Sequence, residues 1–130
     1  MAKRTTPPKP TDAELELLQL LWSLGPSTVR RIHESLPKAT GYTTTLKILQ
    51  KMANKGLVSR DESQKSHVYS AAFKAESTQR QLVRDLLANA FSGSPGKLVM
   101  QALSEKKASE EEIQQIKDLL KKLDSKGERK

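Results

Sequence analysis

The sequence predicts a mainly α-helical fold that contains one small β-hairpin, and three observations support this. Apolar residues recur at helical spacing through most of the chain, whereas the period shortens to that of strands only between residues 57 and 71. Glycine and proline separate the helical segments at intervals that suit short helices. At 130 residues, 35% of them apolar and 29% charged, the chain has the size and composition of one or two small globular modules.

A capping-box pattern opens the first predicted helix. The Thr11 side chain can accept a hydrogen bond from the backbone three residues later, and Glu14 can return one to the cap. The helix should run to about Ser23, because Gly25 and Pro26 end it. Its expected core residues are Leu15, Leu18, Leu21 and Trp22.

Two further helices complete a helix-turn-helix core. A short one begins at Ser27 or Thr28 and stops at Pro37, and the next covers residues 43–55, with Gly56 just past its end. Three short helices in this succession are typical of helix-turn-helix domains. The residues expected to face inward are Val29, Ile32, Leu36, Thr45, Ile48, Leu49 and Met52.

The third predicted helix has two chemically opposite faces. Its exposed face gathers Thr43, Thr44, Lys47, Lys51 and Asn54 and carries no carboxylate, and Thr43 is also the expected N-cap. Hydroxyl and ammonium groups near a helix N-terminus suit phosphate oxygens and base edges, because the terminal N–H groups also attract anions. This predicts a helix that enters the major groove of DNA. An ordinary amphipathic surface helix would show the same pattern.

A β-hairpin is predicted directly behind this helix. Residues 57–61 and 67–71 read as strands, and the polar residues 62–66 join them. A hairpin in this place is the wing of a winged helix-turn-helix, and its tip at Lys65 could reach the DNA backbone or minor groove. Residues 11–73 are therefore predicted to form a winged-helix DNA-binding domain. Further candidate phosphate contacts are Arg30, Arg31 and Lys38.

Residues 74–123 are predicted to form a helical dimerisation domain. A helix over residues 74–92 ends at the Ser92–Gly96 break, a short helix follows, and the last begins at the capping box Ser109–Glu112. These helices have more apolar surface than they can bury against one another, so a homodimer about a two-fold axis is expected. Packing against the winged helix within a monomer is the alternative. The expected interface residues are Leu86, Phe91, Leu98, Ile113, Ile116 and Leu120.

The chain ends and the charge distribution favour a polyanion partner for the N-terminal part. Residues 1–10 hold three prolines and three basic residues and predict a flexible basic arm, whereas residues 124–130 predict a frayed tail. Of the net charge of +8, residues 1–73 carry +5.

There is no apolar segment of the kind found in signal peptides or membrane spans, so a cytoplasmic protein without a membrane partner is expected.

Catalysis, cofactors and metals find little support in the sequence. With no cysteine, disulfides, thiolate nucleophiles and cysteine-based zinc sites are excluded. His33 is expected at the surface of a helix. His67 is expected as a structural residue of a wing strand, with a phosphate contact as the alternative, and neither histidine stands in a nucleophile or metal pattern. The acidic run 110–112 cannot converge on one ion, because consecutive helical residues diverge by about 100°. We therefore expect a protein that is not an enzyme and binds no cofactor or metal.

Taken in order, the motifs of residues 11–123 resemble the penicillinase-repressor family of bacterial transcription factors, which includes the methicillin-resistance and copper-responsive repressors. The resemblance rests on the Trp22 helix, on Tyr42-Thr43-Thr44 leading into a helix that ends Lys55-Gly56-Leu57-Val58, on the strand His67-Val68-Tyr69, and on the C-terminal Leu98-Val99 and Ser109-x-x-Glu112-Ile113 segments. It implies a dimer that binds palindromic operators over promoters. It also implies that Thr43, Thr44 and Lys47 are candidates for groove and phosphate contacts. Tyr42, at the head of the motif, is a further candidate DNA-binding residue.

Two departures from the family pattern concern how repression is relieved. Antibiotic-responsive members are cleaved at an Asn-Phe pair, whereas the matching place here is Gln101-Ala102, which weighs against a membrane sensor peptidase as a partner. Copper-responsive members carry a C-terminal cysteine motif, and this chain has no cysteine.

The expected function is that of a sequence-specific, DNA-binding transcriptional repressor that acts as a homodimer on double-stranded operator DNA. The competing interpretation is a winged-helix protein-interaction or RNA-associated module whose basic face is incidental. An interaction module would more often place apolar or acidic side chains on the exposed face from Thr43 to Lys51, so the lack of carboxylates there favours DNA.

Overall fold

A computed structural model of the chain describes residues 6–37 and 40–127. It confirms the mainly α-helical class with a small β-sheet. The elements are α1 (Asp12–Leu24), β1 (Ser27–Thr28), α2 (Val29–Glu34), α3 (Tyr42–Lys55), β2 (Val58–Asp61), β3 (Val68–Ala71), α4 (Ala75–Asn89), α5 (Pro95–Glu105) and α6 (Glu110–Gly127). The described residues form two compact units that divide between Leu86 and Leu87, so α4 belongs to both.

Helix α1 has the predicted capping box at its start. The Glu14 backbone N–H donates to Thr11 Oγ1 at 3.2 Å, and the Thr11 N–H donates to Glu14 Oε1 at 2.9 Å. At the other end, the Gly25 N–H donates to the Leu21 carbonyl at 2.8 Å with Gly25 at φ 80°, a conformation that glycine adopts without a Cβ penalty. Pro26 then prevents the helix from continuing.

A third strand, which the sequence pattern did not predict, joins the hairpin. Ser27 and Thr28 form β1 and pair antiparallel with Tyr69 and Val68, giving a sheet of order β1-β3-β2. Thr28 also caps α2, since its Oγ1 accepts from the Arg31 N–H at 3.2 Å. This short strand ties the start of α2 to the part of β3 nearest the wing turn.

The start of α3 differs from the prediction. The N-cap is Gly41, which makes no side-chain cap bond, and the helix begins at Tyr42, so Thr43 lies inside the first turn and is not the cap. The end is as predicted. Gly56 adopts the left-handed conformation at φ 87°, and the Leu57 N–H donates to the Met52 carbonyl at 2.9 Å.

One hydrophobic core holds the first unit together. Four residues predicted as core are only partly buried, namely Leu15, Trp22, Leu36 and Ile48. The Trp22 Nε1 donates a hydrogen bond to the Phe73 carbonyl at 3.0 Å. Two of the fully buried residues, Leu17 and Tyr69, were absent from the predicted core. The buried hydrophobic residues are Leu17, Leu18, Leu21, Val29, Ile32, Leu49, Met52, Leu57, Val58 and Tyr69.

The described part of the predicted basic arm, residues 6–10, packs onto the first unit and does not extend freely. Pro7 and Pro10 are buried, and the Lys9 carbonyl accepts a hydrogen bond from Lys55 Nζ at 3.4 Å. Lys3 and Arg4 of this arm lie outside the described residues.

The second unit contains well-capped helices, and over residues 87–126 it has no buried side chain. Ser94 caps α5 by accepting from the Lys97 N–H at 3.1 Å, and the predicted Ser109–Glu112 capping box of α6 is present with bonds of 3.0 and 3.1 Å. Helix α6 continues to Gly127, so residues 124–127 of the predicted tail are helical, and residues 128–130 lie outside the described residues. Throughout residues 87–126, every side chain is half-buried or exposed.

Candidate nucleic-acid interface

An exposed ridge runs along α3. Thr43, Lys47, Gln50 and Asn54 are spaced by four, three and four residues, which places them in one row on a helix, and all four are exposed. We call this row the α3 ridge. The whole helix lacks a carboxylate. Gln50 is the ridge residue that the sequence prediction missed, although its spacing from Lys47 is the signal that identifies it.

The buried face of α3 fixes which way the ridge points. Thr45, Leu49 and Met52 are all 0% exposed and pack into the core of the first unit. Because this face lies on the opposite side of the helix, the ridge is held towards solvent by the same contacts that fold the domain. Thr44 and Lys51 are also exposed, but they lie on the neighbouring row, so Thr44 does not belong to the ridge.

The cations on this surface fall into two groups. Among the described residues, no carboxylate lies within salt-bridge distance of Lys47, Lys51 or Lys65. By contrast, Arg30 lies 4.0 Å from Glu34 on the exposed side of α2, and Lys55 is bound by Glu14. The unpaired lysines are therefore available to an external anion. Arg31 is exposed on α2, and Lys38 lies outside the described residues.

The wing carries charges of both signs, and its carboxylates are occupied. Glu62 pairs with Arg60 at 2.5 Å, and the Asp61 Oδ1 accepts from the Ser63 N–H at 2.9 Å. Hydrogen bonds from the Ser63 side chain and backbone lower the pKa of Asp61. These contacts hold the Asp61 and Glu62 carboxylates within the hairpin, whereas no carboxylate among the described residues lies within salt-bridge distance of Lys65.

A groove of about 370 Å³ lies where α2, α3 and the wing meet, and we call it the wing groove. It brings together three residues predicted as DNA contacts from separate elements, namely Arg30, Tyr42 and Lys65. His67 also lines it and is exposed just before β3, so it is not the structural strand residue that was expected. The remaining lining residues are Thr28, Val29, Leu46 and Ser66.

His33 also departs from its expected surface position. Its side chain is half-buried between α2 and α3, and its Nδ1 lies 3.0 Å from Thr45 Oγ1. The surface-helix prediction was wrong because helical periodicity within α2 cannot show that α3 covers this side of it.

The residues predicted for dimerisation divide by exposure. Leu86 and Leu120 are exposed, whereas Phe91, Leu98, Ile113 and Ile116 are half-buried. Helices α5 and α6 each present an exposed apolar triplet with the spacing i, i+1, i+4, and most of its members were not predicted. These triplets are Val99, Met100 and Leu103 on α5, and Leu119, Leu120 and Leu123 on α6.

The pair Gln101–Ala102 lies in the middle of α5, where the Gln101 Nε2 donates to Glu105 Oε2 at 3.1 Å. A peptidase would have to unwind this helix to reach the bond between them.

Over residues 6–37 and 40–127, no helix is both long and apolar enough to cross a membrane, and no three acidic or histidine side chains gather as a metal site would require.

Comparison with known proteins gives one family. The profile of the family described as "Penicillinase repressor" matches residues 10–122. Two proteins named Transcriptional regulator BlaI, from Mycobacterium tuberculosis strains CDC 1551 / Oshkosh and ATCC 25618 / H37Rv, are each 34% identical to this chain over 82 residues. The alignment covers 61% of this chain and 59% of each relative, so the chain spans about three fifths of the length of these relatives.

Proposed function

We propose, since this chain belongs to the penicillinase repressor family, that it is a transcriptional repressor that binds operator DNA as a homodimer in the cytoplasm and catalyses no reaction. The relatives named as transcriptional regulators support the regulatory role. The α3 ridge is the observation that supports DNA as the ligand.

The α3 ridge has the chemistry that major-groove recognition needs. The major groove admits an α-helix, and side-chain amides pair with the N6 and N7 atoms of adenine while lysine pairs with O6 and N7 of guanine. Gln50 and Asn54 supply two exposed amides and Lys47 supplies the cation, all on one row. We assign base contacts to these three residues and to Thr44, and a phosphate contact to Thr43 in the first turn of the helix.

A second set of residues flanks the ridge and would bind phosphates. Lys51 lies beside the ridge on α3, Arg30 and Lys65 line the wing groove, and Arg31 is exposed on α2. Contacts of this kind hold a protein in register on the duplex without choosing a sequence, and each makes binding weaken as salt rises.

Dimerisation would supply the partner that the second unit lacks. Residues 87–126 bury no side chain within the chain, yet α5 and α6 expose two apolar triplets. A two-fold contact through these helices would remove that surface from water and give the unit a core. Two copies of α3 would then face half-sites about one helical turn, or a whole multiple of it, apart on a palindromic operator.

The competing proposal, a protein-interaction or RNA-associated module, has less support. The α3 ridge presents no apolar or acidic side chain to a protein partner. Aromatic residues make up only 4% of the chain, which leaves few rings for the stacking that single-stranded RNA recognition uses.

A gel-shift titration tests the proposal. The probes are the DNA upstream of this protein's own coding sequence and a scrambled duplex of the same length and composition. The proposal expects a discrete complex on the upstream probe at much lower protein concentration than on the scrambled probe. Equal binding to both, or binding to neither, would contradict it.

A further inference from the structure

We infer that His33 is a positioning residue that holds the Tyr42 ring at the wing groove, where the Tyr42 hydroxyl donates to a phosphate of the DNA backbone. The inference rests on the proposed function, because it names how one phosphate is bound. It assigns to His33 a role that acts through another side chain and needs no contact between His33 and DNA.

A chain of hydrogen bonds anchors the His33 ring. Its Nδ1 lies 3.0 Å from Thr45 Oγ1, which in turn lies 3.5 Å from the Gly41 carbonyl. With the hydroxyl proton of Thr45 directed to that carbonyl, the imidazole is the donor in the first bond. Thr45 is fully buried, so the ring is tied to a fixed point in the core. The anchor also reaches Gly41, the residue that precedes Tyr42.

The anchored ring packs against Tyr42. The two ring centroids are 5.5 Å apart and the ring planes meet at 76°, the edge-to-face arrangement that aromatic pairs favour. Tyr42 is the first residue of α3, is 45% exposed, and has no helical turn before it to restrict its side chain. His33 therefore supplies a contact that limits the ring, and a side chain ordered before binding loses less entropy when the ligand arrives.

The surroundings of Tyr42 fit a phosphate. Arg30 and Lys65 line the same groove from α2 and the wing, and His67 lies beside them. Hydrogen-bond donors next to cations, at the first turn of a helix, form an arrangement that binds an anionic oxygen. The neighbouring carboxylate, Glu34, is held by Arg30 on an exposed surface at 4.0 Å, where a phosphate could replace it.

A double-mutant cycle tests whether His33 acts through Tyr42. The probe is a duplex of random sequence, because a phosphate contact has no base preference, and affinity is measured by fluorescence anisotropy. Tyr42→Phe removes the hydroxyl and keeps the ring. We expect Tyr42→Phe and His33→Ala each to weaken binding about tenfold relative to the wild type. The double variant should also lose no more than about tenfold relative to the wild type.

Two conservative variants separate positioning from support of the fold. His33→Phe keeps a ring against Tyr42 but loses the Nδ1 bond to Thr45, so we expect its affinity to lie between those of the wild type and the alanine variant. His33→Asn keeps a hydrogen-bonding group near the Nδ1 position without the ring, and we expect it to bind as weakly as the alanine variant. Thermal melting is measured on every variant, and a purely structural role would make affinity follow melting temperature instead of ring content.

The outcomes distinguish this inference from the proposed function. If the wild type binds DNA and the losses at His33 and Tyr42 multiply in the double variant, His33 does not act through Tyr42 and the inference fails alone. Unchanged affinity in either single variant has the same consequence. A wild type that binds neither the random nor the upstream duplex overturns both the inference and the proposed function.

Discussion

The Nζ atom of Lys55, the last residue of α3, lies 2.6 Å from Oε1 of Glu14 in the first turn of α1. Glu14 is only 5% exposed, and the same oxygen accepts the Thr11 N–H of the capping box. One carboxylate therefore fixes the start of α1 and the end of α3 together. This assigns Lys55 to the fold, whereas Lys51, one turn earlier on the same helix, is exposed and unpaired among the described residues.

Exchange of Lys55 for methionine should lower the stability of the fold, whereas exchange of Lys51 for methionine should not. Lys55→Met leaves the Glu14 carboxylate in a mostly buried place with only the capping-box bonds, so the free energy of unfolding should fall by about 1–3 kcal/mol. Lys51→Met removes an exposed charge and should leave stability within about 0.5 kcal/mol of the wild type. Urea denaturation measures both.

The DNA affinities of these two variants should show the reverse order. Lys51→Met should weaken binding to any duplex, since a phosphate contact is lost, while folded Lys55→Met should bind nearly as the wild type does. A stable Lys55→Met protein that has lost DNA affinity would contradict the assignment of Lys55 to the fold.

The Glu14 carboxylate should make stability depend on acid pH. Burial by itself would raise its pKa, but hydrogen bonds from Lys55 and Thr11 and the charge of Lys55 prevail, and the pKa lies below its ordinary value. The pKa of Glu14 is therefore lower in the folded state than in the unfolded state, where it is about 4.3. Its contribution to the free energy of unfolding is fully present above the unfolded-state pKa and is lost as the pH falls through the folded-state pKa. As the pH falls through this range, the Glu14→Gln variant should lose less stability than the wild type, as measured by urea midpoints. Parallel pH profiles would contradict the prediction.

Lys65 should contribute affinity without sequence preference. Lys65→Ala removes a wing cation, and we expect equal factors of loss on operator and scrambled duplex together with a salt slope reduced by about 1. Gln64→Ala, at the adjacent exposed position of the loop, is the neutral control and should leave both affinities unchanged. Anisotropy titrations over a range of salt concentrations measure the slope. Loss on the operator alone would show that Lys65 contacts a base.

The apolar triplet of α6 should hold two copies of the chain together. Leu123→Asp would place a carboxylate in that interface, which burial strongly disfavours, and should give monomers. Ser125→Asp adds the same charge two residues later, on the opposite face of α6, and should remain dimeric. Sedimentation velocity measures both, and the Ile116→Asp, Leu120→Asp double variant extends the test to the predicted interface. Dimers in all of these variants would place the interface elsewhere.

Local chemistry made much of the fold predictable. The two capping boxes and the Gly56 stop each depend on residues within a few positions of one another, so the sequence displays them directly. The Gly41 cap was missed because a glycine cap leaves no side-chain signal. Strand β1 was missed because two residues are too few to show alternation.

Contacts between distant segments were not predictable in this way. Glu14 and Lys55 are 41 residues apart, and nothing in the spacing of either indicates the other. The wing groove unites side chains of α2, α3 and the wing, so its membership follows from packing. The position of His33 against Tyr42 depends on the angle at which α2 meets α3, which periodicity within each helix does not encode.

The selection of sequence by α3 is tested by the ratio of affinities for the upstream operator and a scrambled duplex. Anisotropy measures this ratio for the wild type, for the α3 ridge variants Lys47→Ala and Gln50→Ala, and for Thr44→Ala on the neighbouring row. We predict a large ratio for the wild type, and for each variant a loss of about 1–3 kcal/mol on the operator with little change on the scrambled duplex. Variants that fold and dimerise normally but keep the wild-type ratio would show that α3 does not select the sequence.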